Sequence, residues 1–320
     1  MADWTGTRWE DWRDHAAVLA RLEAGADPER YGAGRPLHHA AAHGSPQVVA
    51  ELAARVADVD ARENGTTALW AAVTAGRADN ARALAAAGAD PWLPQLAGWS
   101  PGRLALAGPD PELFRPPAGG AAGGTELTPA ERETARAGRR LVAALGAYHH
   151  EGTGLACVAG IDAAEAVRRL GAEPLDGEFS QNFLDALHTG WVEERLLIAG
   201  VTTVPGGCVV TQPWGYTPAT RGVMTRLTVG TFGYGLYANP KSGNQGSIVR
   251  DGTVEAWDLH PGGGPNPGDT SEQVLDAYLY RGRAVAAACA FAGLRPVDAR
   301  AVTGPADLWV KVPDVDHGEH

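Results

Sequence analysis

The stretch RPLHHAAAHG, residues 35–44, puts three imidazoles (His38, His39 and His43) within six positions. Histidine ligates metals, relays protons and changes charge near neutral pH. On a helix, His39 and His43 stand four apart and share a face, which would suit two ligands of a metal centre. A closed centre needs three or four ligands of good geometry, and a carboxylate would have to come from elsewhere in the chain. No metal is therefore expected, and His39 and His43 are read as partner contacts. The later half offers further polar candidates: Gln212, Trp214 and Tyr216 in TQPWGY, Asn239 and Lys241 in ANPKSGNQG, and Asp258 and His260 in WDLH. Lys241 sits on a glycine-rich loop and could bind an anion, although a solvated loop lysine is the simpler reading. Asp258 and His260 flank Leu259, so on a strand they share one face. They have no nucleophile beside them. No G-x-S-x-G, P-loop, H-E-x-x-H or complete G-x-G-x-x-G occurs. GTFGYG (230–235) lies inside a strand pattern, and HPGGGPNPGD (260–269) lacks the lysine of a phosphate loop. No cofactor is expected, and the reading leans away from an enzyme. Lys241, Asp258 and His260 are the catalytic set if that reading fails.

The elements that must position these residues are constrained by composition. The chain has 320 residues, 44% of them hydrophobic, enough for two domains with real cores. Its 27 basic and 38 acidic residues give a net charge of -11. That argues against non-specific binding to nucleic acid or anionic membranes, which need positive charge. Only Lys241 and Lys311 are lysines, and the bias to Ala, Gly and Arg resembles coding from a GC-rich genome such as an actinobacterium's. Cys157, Cys208 and Cys289 are far apart in apolar settings and read as buried small hydrophobes. The charged start MADWTGTRWEDWRDH has no signal-peptide pattern. No run approaches the ~18 apolar residues of a membrane span, so the cytoplasm is the expected location.

Two motifs recur in phase. RPLHHAAAHG (35–44), TALWAAVTAG (67–76) and SPGRLALAG (100–108) align Pro36, Ala68 and Pro101 at spacings of 32 and 33. GADP (25–28), VADVD (56–60) and GADP (88–91) align Ala26, Ala57 and Ala89 at 31 and 32. The period and the RPLHHAA start resemble the ankyrin repeat, with Arg35 in the threonine place. The resemblance implies about two full and two partial repeats over residues 1–110. His38 would then be the family's own histidine, bonding locally at the start of a first helix. His43 would fall where the family lines its concave face. Gly102 departs from the pattern, marking the last unit as a degenerate cap. The resemblance also implies a protein or peptide partner, since stacked units bury their apolar faces jointly and present an extended surface. Bacterial relatives of this kind suggest an immunity, chaperone or regulatory role. In DPWLPQLAGWSP (90–101), Trp92, Leu93 and Trp99 fall in or beside a finger that ordinarily carries polar turn residues. They are candidate contacts, or else the finger packs on a distant part of the same chain. Trp70, in the histidine place of the second repeat, is read as core or groove wall.

GPDPELFRPPAGGAAGGTELTPAERE (108–133) reads as a linker, placing domains at 1–110 and 128–320 with a Pro/Gly/Ala-rich link at 111–127. Thr128, Pro129 and Glu131 make a capping-box start to a helix running to about His149. Beyond it, 154–161 reads as a strand, 162–172 as a short amphipathic helix, and 195–214 as two strands joined at Pro205-Gly206-Gly207. Residues 224–239 read as a strand, 247–259 as a hairpin on Asp251-Gly252, and 269–294 as one long helix. The fold class is therefore an α solenoid followed by an α+β domain with a mainly antiparallel sheet. The order of elements, and GLACVAGIDAAEAVRRLGA above all, resembles a domain of unknown function common in actinobacteria. The functional expectation is a protein-interaction module with a second binding domain. The alternative is a tailoring enzyme acting on a peptide or small molecule presented by the repeats. DVDHGEH (314–320) reads as an acidic tail.

Overall fold

A computed structural model describes residues 4–117, 124–147, 151–176 and 197–313, Trp9 by its backbone alone. Two compact units divide the chain. One comprises Met1–Arg139 with Gly264–Arg281, the other Arg140–Gly263 with Gly282–His320.

In the first unit, short helices start where a side chain or a proline removes unsatisfied N–H groups. They are α1 (His15–Glu23, capped by Asp14), α2 (Pro36–His43), α3 (Pro46–Ala53, capped by Ser45), α4 (Ala68–Thr74, capped by Thr67) and α6 (Pro101–Ala107, capped by Ser100); α5 (Ala78–Ala86) starts with neither. Helices α2, α4 and α6 pack in succession as one layer, and α1, α3 and α5 as another. Between the layers Leu37, Val48, Leu52, Leu69, Leu84 and Leu104 are buried, each worth about 1.5–3 kcal/mol of transfer free energy. Tight hairpins join successive pairs, with bridges Tyr31↔Gly34 and Glu63↔Thr66. The second turns on Asn64 (φ 50°) and Gly65 (φ 82°), the residue pair a two-residue hairpin turn of positive φ selects.

The repeats are stitched at a fixed offset. Arg35 N–H donates to Glu63 Oε2 (2.7 Å) and Thr67 N–H to Gln95 Oε1 (2.8 Å), each across 28 residues. His38 does not bond at its own helix start as expected. It donates from Nε2 to the Thr66 carbonyl of the next hairpin (3.0 Å), again 28 residues on. Burial holds its pKa below the ordinary imidazole value, so the neutral donor is the form that fits. The third repeat puts Arg103 in this slot, and its Nη2 reaches both oxygens of Glu131 (2.6 and 2.7 Å), once more across 28 residues. Glu131 lies in the first turn of α7 (Pro129–Leu145). Its backbone N–H donates to Thr128 Oγ1 (3.2 Å) and its carboxylate accepts from Thr128 N–H (2.8 Å), the expected capping box.

The start of α7 is thus bonded to the last repeat helix, and the two compact units divide at Arg139/Arg140. The stretch expected as a linker contributes Phe114 and Leu127 to the repeat core. The expected helix over 269–294 is two helices, Ser271–Leu279 and Ala284–Phe291, separated where Gly282 adopts φ 68° and Arg283 leaves helical geometry. Each half serves a different core. Val274 and Leu275 join the repeat cluster, whereas Cys289 approaches Cys157 of the sheet unit (Sγ–Sγ 3.8 Å).

The second unit is built on a sheet of eight strands among the described residues: β1 (Gly154–Ala159), β2 (Glu173–Pro174), β3 (Ile198–Val204), β4 (Gly207–Gln212), β5 (Phe232–Asn239), β6 (Gly243–Arg250), β7 (Thr253–Asp258) and β8 (Leu308–Lys311). The order is β2-β8-β3-β4-β1-β5-β6-β7, with every pair antiparallel. One face packs on α8 (Ala163–Leu170) and α9 (Arg221–Leu227) through Val158, Val201, Val210, Leu170, Met224 and Leu227. The helix Ser271–Leu279 is α10. Helix α11 (Ala284–Phe291) packs on β5, and α12 (Arg300–Thr303) on β3 and β4. Asp162 caps α8 and Gly171 ends it, as its sequence pattern requires. Residues 224–227 were expected as strand but are helical. Val223, Met224 and Leu227 are buried on one helical stripe. The β6–β7 turn uses Asp251 (φ 45°) and Gly252 (φ 71°), the hairpin expected there.

Candidate binding surfaces

In the repeat unit a stack of rings runs from the segment before α1 onto α2. Trp4 and Trp12 stack at 5.0 Å, Trp12 meets Tyr31 (5.4 Å) and His39 (5.0 Å), and His39 meets His43 (5.0 Å). Trp4 and Trp12 are buried, His39 is half-buried and His43 is exposed, so the stack runs from core to surface. The helical spacing of 39 and 43 does bring the two imidazoles together, as the sequence indicated. Among the described residues no group of His, Cys, Asp or Glu has the arrangement of a metal site. Arg13 Nε donates to the His43 carbonyl (3.3 Å) and Arg77 Nη2 to the Gly44 carbonyl (2.9 Å), which satisfies the end of α2. Burial lowers the His43 pKa, and Arg281, Arg77 and Arg13 lower it further. This corner of an acidic chain is locally positive.

The finger residues lie otherwise than an open contact patch would require. Trp99 is fully buried, and its Nε1–H is shared between the Ser271 carbonyl (3.0 Å) and hydroxyl (2.9 Å). The Arg103 guanidinium lies 4.3 Å over its ring. Trp92 is half-buried against the start of α6, and a Cβ on Gly102 would come within 2.9 Å of its ring. The glycine that departs from the repeat pattern is therefore the space that Trp92 fills. Leu93 is half-buried, and Trp70 is buried in the core.

The sheet unit has an open cleft of ≈ 640 Å³. Antiparallel register puts Gly235, Tyr237, Gln245, Ser247 and Trp257 on one face of β5–β7. The segment from Tyr216 to Arg221 borders the same space, as does Asp258. Of the residues singled out from sequence, the cleft gathers Tyr216, Asn239 and Asp258. Gln212 is buried and spent on the fold, with Nε2 donating to the Ile198 carbonyl (2.9 Å) and Oε1 accepting from Thr217 N–H (3.0 Å). Trp214 is half exposed and lies outside the cleft lining, as do Lys241, on the β5–β6 turn, and His260. The Asp258 carboxylate accepts from Tyr234 O–H (2.6 Å) and from the His260 backbone N–H (2.9 Å), so His260 meets Asp258 through its main chain. Burial and this bond push the Tyr234 pKa up. Tyr237, Trp257, Arg221 and Ser247 were not found from sequence. The one available signal was the alternation of VEAWD in a strand, which puts a tryptophan where polar residues would be expected.

A family model described as ankyrin repeats (3 copies) matches residues 14–95. Comparison with curated proteins gives no match. Ankyrin repeats generally mediate protein–protein interaction. No helix of the described residues is long and apolar enough to cross a membrane.

Proposed function

We propose that this protein is an interaction scaffold whose repeat unit holds a segment of a protein partner on the inner-helix face carrying His39 and His43. The observation that carries the reading is the ring stack from Trp12 through His39 to an exposed His43. Core packing of α2 is complete with Leu37, Ala40 and Ala41 buried, and leaves that stack unfinished at the surface. Arg13, Arg77 and Arg281 surround its end electrostatically, so an acidic segment fits best. Trp70, Trp92, Leu93 and Trp99 support the site by fixing the stack of repeats and are not themselves the contact. The reading requires no catalysis by Lys241, Asp258 and His260, and the sheet unit serves as a second binding module.

The test is affinity capture from the native host with the full chain, comparing the unaltered protein with a His39→Ser/His43→Glu variant. Both should show the same circular dichroism, and the exposed His43→Glu change alone should leave the unfolding midpoint unchanged. A protein retained in stoichiometric amount by the first and lost by the second supports the reading. A protein retained equally by both contradicts it.

A further inference from the structure

Strand register lays a strip of side chains across β5–β7, on the face that Met224 of α9 covers at Gly235. Tyr237 lies opposite Gln245, and two residues along β6 Ser247 lies opposite Trp257. The strip therefore runs ring, amide, hydroxyl, ring. Two strand spacings separate the rings, which puts their backbones about 10 Å apart or slightly more. Trp257 is 60% exposed, Tyr237 is half-buried and Gln245 is exposed between them. Exposed tryptophan forfeits the transfer free energy that burial would return. Arg221, the first residue of α9, is exposed and borders the same cleft. Asp258 alternates with Trp257 and gives its carboxylate to Tyr234 on the opposite face, so the charge beside the strip is that of Arg221.

A ligand seated on this strip must suit both kinds of group. A wholly apolar one would bury Gln245, Ser247 and Arg221 against nothing that bonds them, at the desolvation cost of each. A wholly polar one would gain nothing from Trp257. A single flat heterocycle fits poorly as well, because rings two strands apart on one floor do not form the two walls of a slot. A pyranose has an apolar face of C–H groups and a rim of hydroxyls. The face packs on an aromatic ring, and the rim bonds amide, hydroxyl and guanidinium groups. A short chain of such units presents one face to each of two separated rings. We infer that this cleft binds a short oligosaccharide of pyranose units. One sugar lies on Trp257 and another against Tyr237, with Gln245, Ser247 and Arg221 bonding their hydroxyls. The site stands apart from the partner surface on the repeats, so its failure would leave that reading untouched.

The experiment is calorimetric titration of the full chain with maltotriose, cellotriose and N,N′,N″-triacetylchitotriose, and with glucose and N-acetylglucosamine as their single units. At least one trisaccharide should bind with a Kd below about 1 mM. Its single unit, which meets one ring only, should bind about tenfold more weakly or not at all. Trp257→Ala should weaken the trisaccharide about tenfold, and Tyr237→Leu should do the same from the other end of the strip. Gln245→Ala should weaken it about fivefold. Each variant should keep the circular dichroism of the unaltered protein. Val297→Ala, at a position 78% exposed and outside the lining, should change nothing and serves as the control. The inference is overturned if no trisaccharide binds, if the single unit binds as tightly as the chain, or if Trp257→Ala leaves the affinity unchanged.

Discussion

The two units treat their conspicuous residues in opposite ways. In the repeat unit, His38, Trp70, Trp99 and Arg103 are all spent on the stack. His38 and Arg103 occupy the same repeat slot and reach forward by the same 28 residues, one to a carbonyl and one to a carboxylate. In the sheet unit, Trp214, Tyr216, Trp257 and Leu259 are left at the surface. The difference follows from architecture. A solenoid buries its faces only against neighbouring units, so large side chains near a repeat boundary are drawn into the joint. A sheet covered by helices over parts of both faces leaves its terminal strand β7 largely exposed. In the first unit most conspicuous residues serve stability, the ring stack that ends at His43 being the exception, whereas in the second several large rings remain at the surface.

The most severe way to break this comparison is Trp99→Ala. It removes a fully buried indole and strands the Ser271 groups it bonds, and should cost about 4–5 kcal/mol in urea unfolding of the repeat unit. A loss under about 1 kcal/mol would mean that the joint between α6 and the 264–281 segment is not a core. Next comes Arg103→Met, which leaves the half-buried Glu131 without its cation and only the Thr128 N–H as partner, and should cost about 2 kcal/mol. The double change Arg103→Met/Glu131→Met should recover most of that loss. If it does not, the repeat-offset bond is only one of several supports at this position.

A smaller effect is the dependence of stability on pH. The folded protein lowers the pKa of His38, His39 and His43, each chiefly by burial, so folding prefers the neutral rings. The unfolded chain takes up protons first as pH falls through the ordinary histidine value of about 6.5. Stability is therefore full above that value and declines below it until the folded rings titrate. Thermal unfolding at pH 7.5 and 5.5 should show the lower midpoint at pH 5.5, and His38→Gln, which keeps a donor for Thr66, should narrow the gap. Binding of an acidic segment at His43 runs the other way, tightening as pH falls. The smallest expected effect is Trp257→Ala, with less than about 0.5 kcal/mol on unfolding. A large loss would mean that this ring belongs to the fold and not to a ligand.

The repeats were legible because two motifs recur in phase near 33 residues. The start of α7 was not read as bonded to them. Its Thr128-Pro129 follows Ser100-Pro101 by 28 residues, after a Pro/Gly-rich stretch with the look of a linker. Nor was the break in 269–294, where helix-forming residues run throughout and only Gly282 interrupts. Gln212 was chosen for its polarity, yet a buried amide is the residue that satisfies backbone groups between strands. Tyr237, Ser247 and Trp257 become neighbours only through strand register, which pairs Tyr237 with Gln245 and Ser247 with Trp257. Tyr216 and Asp258 were found because an aromatic beside a turn and an acid at a strand end stand out in any register.

The most direct test of the scaffold reading places a photo-crosslinking amino acid at position 43, and in a second protein at position 47 on the exposed side of α3. Both full-length proteins are irradiated in the native host. The account predicts a single covalent adduct with another protein at 43 and none at 47. Adducts of equal yield at both positions, or at 47 alone, would contradict it.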